Sequence, residues 1–173
     1  LNNNKSYQFI AESYISSDVE LLNDLAYISP QDEYEIRDQA QTVVLTKQIE
    51  GQIRVEQHLT FTPGSYEIEL AYKVTNLSNQ TKNISYTTRL KRDNSGDPNS
   101  GSQFAAASYL GFAHNSADKG WIELSLDELQ EQHDELVLAN ANKFEFSNTF
   151  KQSNGFVAFT QKYFSVAWVP VKE

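Results

Sequence analysis

Polar and apolar residues alternate along much of this chain. Over residues 66–75, Tyr66, Ile68, Leu70, Tyr72 and Val74 fall on one side, and Glu67, Glu69, Ala71, Lys73 and Thr75 fall on the other. A repeat of two is the strand repeat, and one wet side marks a half-buried antiparallel strand. The stretch before it has the same form, with Ile53, Val55, Leu59 and Phe61 set against Arg54, Glu56, His58 and Thr60. Thr62–Ser65 joins the two, because Pro63 and Gly64 supply the backbone angles of a turn. Upstream, Val43, Leu45 and Ile49 mark a third strand, and Glu50 with Gly51 turns it into the next. The three runs predict a meander.

The polar stretch Asn76–Asn83 predicts a turn, followed by a strand carrying Ile84, Tyr86 and Leu90. Lys91–Gln103 holds no apolar residue and is rich in Gly, Pro, Asn, Asp and Ser, so an exposed, mobile loop is expected over residues 92–103. Phe104–Ala113 predicts a strand, and Phe144, Phe146 and Phe150 mark another. A last hairpin pairs Phe156–Thr160 with Phe164–Val169 around a turn at Gln161–Tyr163.

One short helix is predicted at about residues 126–133. Ser125 stands as its N-cap and Glu128 follows three residues on, the pattern of a capping box, with Leu124 and Leu129 at the staple positions. Asp127 and Glu128 fall in the first turn, where the helix dipole favours acids. Asp18–Leu25 is a weaker helical stretch and reads better as a loop or short turn. About ten strands and one short helix predict an all-β fold, an antiparallel β-sandwich, organised as a single domain over residues 1–173.

Composition narrows the chemistry. Apolar residues make up 39% of the 173, and 12% are aromatic, which is ample material for a core. No run approaches the roughly 18 apolar residues of a membrane span. The net charge of −9 repels phosphate backbones and anionic headgroups, so nucleic acid is not expected as a partner. Cysteine is absent, which removes disulfides, thiol catalysis and Cys-ligated zinc. Methionine is absent too, and Leu1 opens the chain, so an excerpt of a longer precursor is expected.

The search for a reactive constellation is short. His58, His114 and His133 fall in a strand, at a strand end and near a helix C-terminus, and no two share a metal-ligand spacing. No nucleophile elbow and no phosphate-binding loop occurs. The neighbouring acids Asp32 and Glu33, Asp127 and Glu128, and Asp134 and Glu135 read as solvated faces, since glycosidase chemistry needs carboxyls across a cleft. Asp93 and Asp97 lack the bidentate Glu that would complete a calcium loop. Asn4, Asn76, Asn79 and Asn83 head glycosylation triplets, which in a bacterial protein are turn composition. No catalytic, cofactor-binding or metal residue is therefore assigned.

Two segments carry a resemblance. Asn154–Pro170, "NGFVAFTQKYFSVAWVP", is similar to a signature of the YidC membrane protein insertase family at Gly155, Val157, Ala158, Tyr163, Phe164, Ala167, Trp168 and Pro170. Phe156 stands where the family usually has Trp, and Phe159 where it has Met or another apolar residue. Leu59–Gln80 resembles a second family segment through Phe61, Gly64, Tyr66, Ile68, Leu70, Tyr72, Val74 and Asn76. The resemblance implies the periplasmic domain between the first and second transmembrane helices, at the periplasmic face of the bacterial inner membrane. It implies a β-super-sandwich like the galactose mutarotase fold, with family strands missing from both flanks of this chain. It implies a non-catalytic module that assists insertion and folding of membrane proteins with the Sec translocon. Expected partners are SecD and SecF, the latter through the part matching residues 98–156, and nascent membrane proteins through the rest of the protein. A peptide or sugar-like ligand in the sandwich cleft is a further expectation. A carbohydrate-binding or aldose-epimerase-like sandwich is the alternative that the implied fold allows; epimerases of that fold need a His and a Glu facing one cleft, and His114 with Glu123 comes nearest to that need.

Overall fold

The computed structural model describes residues 9–92, 109–116, 120–138, 155–161 and 164–171. Nine strands and two helices are formed among them: β1 (Phe9–Ser17), α1 (Glu20–Asp24), β2 (Gln41–Ile49), β3 (Ile53–Phe61), β4 (Ile68–Asn76), β5 (Ile84–Arg92), β6 (Gly111–Ser116), β7 (Gly120–Ser125), α2 (Leu126–Leu138), β8 (Val157–Gln161) and β9 (Phe164–Trp168). The architecture is all-β, with three sheets ordered β1-β5, β2-β3-β4 and β7-β6-β8-β9. The chain divides into two compact units, Ser13–Thr87 and Leu1–Glu12 with Thr88–Glu173.

The first unit holds the meander. β3 pairs antiparallel with β2 and β4, so that Lys47, Val55 and Val74 form one row across the sheet, and Leu45, Gln57 and Tyr72 form the next. Gly51 and Gly64 sit at the two hairpin ends with φ of 67° and 75°, a left-handed backbone that side chains with a Cβ resist. The unit is two layers deep. Ile15 of β1 with Val19 and Leu22 of the following segment packs on Ile53 and Val55, and both of the latter are 0% exposed. Each such side chain contributes roughly 1.5–3 kcal/mol by leaving water. Tyr86 of β5 adds an aromatic contact with Tyr72 of β4, ring centroids 5.5 Å apart.

The second unit holds the four-stranded antiparallel sheet. Its core is small: Ala113, Ala158 and Phe159 are buried, and the Phe112 ring meets Phe159 edge-on at 5.1 Å. Arg92 lies over the Phe159 ring at 5.3 Å, and the Trp168 indole donates to the Arg89 carbonyl at 3.2 Å. Gly111 is held by close approach, since a Cβ there would lie 2.8 Å from both the Ser125 Cα and the Tyr109 hydroxyl.

Several boundaries differ from the sequence expectation. β5 runs through Lys91 and Arg92, so the polar stretch begins inside a strand; residues 93–103 lie outside the described residues. Phe104–Ala113 is displaced: Tyr109 and Leu110 are not strand, β6 starts at Gly111, and residues 104–108 lie outside the described set. Asp18–Leu25 contains one true helical turn, α1, because Leu22 buries completely beneath it. α2 continues to Leu138, five residues beyond the expected end. β1 and β7 carry no clean alternation and were not expected as strands. The strand of Phe144, Phe146 and Phe150 lies outside the described residues.

Candidate functional site

The pair nearest to acid–base chemistry is separated by the sheet itself. His114 faces Ile122 in the β6–β7 register, while Glu123 faces Ala113. Successive strand residues point to opposite faces, so His114 and Glu123 project from opposite sides. The Glu123 carboxylate is occupied instead by the Trp121 indole, which donates to Oε1 at 2.9 Å. Trp121 is 54% exposed and leans on Phe156, ring centroids 5.5 Å apart. His114 lies within β6 rather than at its end, and His133 sits mid-helix in α2, its Nδ1 3.3 Å from Asp134. His58 lies in β3, where its Nε2 is buried without a hydrogen-bond partner.

The acidic pairs have local roles. Glu128 accepts from the Ser125 backbone N–H at 2.8 Å and its hydroxyl at 2.9 Å, and Ser125 Oγ accepts the Glu128 N–H at 3.1 Å. This is the expected capping box, and the Ser125 amide holds the Glu128 carboxyl below its ordinary range. Asp134 accepts from Gln130 one turn back at 2.8 Å. Asp32 and Glu33 are exposed. Asn76 closes a turn, its Oδ1 accepting from the Ser78 N–H at 2.9 Å, and Asn83 donates to Asp18. Among the described residues, no cluster of three or more His, Asp or Glu is arranged to hold a metal. Asp93, Asp97 and Asn4 lie outside them. A shallow, open hollow of about 410 Å³ is lined by Gly51, Gln52, Leu77 and Lys82 among others, beside the β2–β3 turn.

The densest polar chemistry lies where the alternation hides it. Lys47 and Gln57 occupy positions of the inward face of the meander that the pattern reserves for apolar residues, and with Tyr72 they form a polar diagonal across three strands. The Tyr72 hydroxyl accepts from Gln57 Nε2 at 2.8 Å and lies 2.6 Å from Ser13 Oγ on β1. Burial raises the Tyr72 phenol above its usual range. Tyr27 stands beside it, its buried hydroxyl pushed higher still by desolvation and by Tyr72.

Lys47 is only 5% exposed. Its Nζ donates to the Leu22 carbonyl at 3.0 Å and lies 4.9 Å from the centroid of the Tyr27 ring. No carboxylate among the described residues pairs with it, and burial lowers its affinity for the proton. The one sequence signal for this cluster was the break in period at residues 47 and 57. The arrangement suits structural fixation, because the phenol is taken up by Gln57 and Ser13 and the ammonium by the Leu22 carbonyl.

The model of the YidC periplasmic domain matches residues 1–173. The chain is 30% identical over 149 residues to the membrane protein insertase YidC of Pseudomonas putida, covering 84% of this chain and 24% of that protein. It is 30% identical over 148 residues to the protein of the same name from Azotobacter vinelandii, covering 85% and 24%. With that of Ectopseudomonas mendocina the identity is 33% over 113 residues, covering 64% and 17%. The chain thus spans about a quarter of the length of the curated relatives it matches.

Proposed function

This chain belongs to the YidC periplasmic domain family, and on that premise we propose that it is a non-catalytic interaction module of a membrane protein insertase. It works at the periplasmic face of the bacterial inner membrane, as one domain of a longer polypeptide. There it assists insertion and folding of membrane proteins together with the Sec translocon. The observation that carries this reading is the family match over the whole chain. The separation of His114 from Glu123 supports the non-catalytic part, since an acid and a base on opposite faces cannot act on one substrate.

SecD and SecF are the proposed partners, and α2 is the surface we assign to them. Asp127, Glu128, Glu131, Asp134 and Glu135 lie on this helix and are exposed, and it holds no Lys or Arg. Such a face steers a basic partner surface. The test is co-purification of SecD and SecF with the full-length insertase carrying Asp127→Asn, Glu131→Gln, Asp134→Asn and Glu135→Gln, with Glu128 left to cap the helix. Loss of SecF is expected. Undiminished recovery of both partners excludes this face.

One observation favours a second reading, a carbohydrate-binding sandwich. Trp121, oriented by Glu123 and backed by Phe156, presents an exposed ring of the kind on which sugar faces stack. Titrating the full chain with galactose and glucose while observing the indole resonance decides it: an unmoved signal at millimolar sugar rejects this reading.

A further inference from the structure

We propose that Val19–Ile28 is a strap that opens as a unit from the outer edge of β2, and that the Lys47 ammonium is the group that sets its opening. The strap follows β1 and returns to the sheet through a single backbone bridge. Ile28 donates to the Thr46 carbonyl at 2.8 Å, and Thr46 donates back to Ile28 at 2.9 Å. β2 is an outer strand of its sheet, so this bridge covers part of a strand edge.

Three side chains hold the strap down: Val19 and Leu22 in the core, and Tyr27 packed against it. Its helical hydrogen bonding is slight, with Leu22 N–H donating to Val19 at 2.9 Å and Leu25 N–H to Leu22 at 3.4 Å. A single helical turn is not stable without tertiary support.

That support contains a buried charge. Lys47 Nζ meets the Leu22 carbonyl and the Tyr27 ring, both from the strap. Its row partners on β3 and β4 are Val55 and Val74. The titratable groups on the same side are the phenols of Tyr27 and Tyr72, with that of Tyr86 on β5 behind Tyr72. The strap's own acids, Glu20 and Asp24, are exposed, as is Asp18 just before it, which is bound to Asn83. An ammonium held among apolar groups without a carboxylate regains its hydration when the strap lifts. The closed strap is therefore held by packing and opposed by charge. Lifting it frees the Thr46 N–H and C=O and uncovers Ile53 and Val55, which presents an edge able to pair with an added strand.

The test is hydrogen exchange of the full chain at pH 7 and pH 10, the upper point lying near the ordinary lysine value of 10.5, corrected for intrinsic rates and resolved to the amides of Leu22, Leu25 and Ile28 and to the β3 ladder. The strap amides are expected to open at least about tenfold more often than β3, as a locally opening segment does. Raising the pH should close the wild-type strap, because the open state binds the extra proton. Lys47→Met, which keeps the stem and removes the charge, should lower opening about tenfold and abolish the pH response. One shared opening constant for the strap and β3 overturns the proposal. So does a Lys47→Met strap that opens as often as wild type. Should that variant misfold, Lys47→Gln supplies the same comparison at pH 7, and a Lys47→Gln strap that opens as often as wild type also overturns the proposal.

Discussion

Gln57 on β3 donates its side-chain N–H to the Tyr72 hydroxyl on β4 across 2.8 Å, from within the inward face of the meander. The same hydroxyl reaches Ser13 on β1, so one oxygen ties three strands together. Tyr72→Phe is expected to destabilise the chain by about 1–3 kcal/mol, because it strands the Gln57 amide. Adding Gln57→Leu should recover part of that loss, since it removes the stranded amide and leaves only the part-buried Ser13 hydroxyl without its Tyr72 partner. Urea midpoints of the two single variants and the double variant measure this.

The pH dependence of stability has two opposed arms. Lys47 has a lowered folded value against an ordinary 10.5, so the unfolded chain binds more protons between the two, and stability rises with pH through that window. Tyr27 and Tyr72 are raised above 10.0, so above that pH the unfolded chain loses protons that the folded chain keeps, and stability falls. Denaturant titrations from pH 7 to 11 should show a rise followed by a fall. Lys47→Met should flatten the rising arm and leave the falling one.

Ser125→Ala should shorten α2 and cost about 1 kcal/mol, the usual value of an N-cap. Glu128 has a lowered folded value, so its contribution is present above its ordinary 4.5 and is lost as the pH falls through the folded value. Far-UV circular dichroism of the wild type between pH 6 and 3 should lose helix signal. Glu128→Gln should lack that transition.

Gly111→Ala tests the close packing of β6 against the end of β7. The added methyl would meet the backbone of Leu124 and Ser125, which cannot swing aside. A loss of 1–3 kcal/mol is expected from such overpacking, roughly that of other crowded cores. A thermal melt unchanged from wild type would contradict the geometry.

His114→Ala with Glu123→Gln should leave insertion of a membrane protein substrate by the full-length insertase unchanged. Loss of insertion with the protein still folded and abundant in the membrane would return chemistry to this sheet.

The meander was legible because its residues obey one simple condition, a dry side and a wet side, from Val43 to Val74. The capping box was legible because Ser125 and Glu128 satisfy it locally. β7 was not, because Trp121 and Ile122 are adjacent apolar residues on opposite faces, and the run is only six residues before the helix. α1 was undervalued because five residues carry little propensity of their own; Leu22 is fixed by distant partners such as Ile53. The polar diagonal was hidden for a related reason. Lys47 and Gln57 look like lapses in an apolar pattern until Leu22, Tyr27 and Tyr72 arrive from elsewhere in the chain.

Those lapses act as a checksum on assembly. Were β3 to slide one residue against β4, the amide of Gln57 would be thrown to the opposite side from the phenol of Tyr72, and the bond between them would be lost. Greasy contacts alone tolerate approximate matches. Two polar groups set opposite each other do not, and a misthreaded sheet forfeits the bond between them.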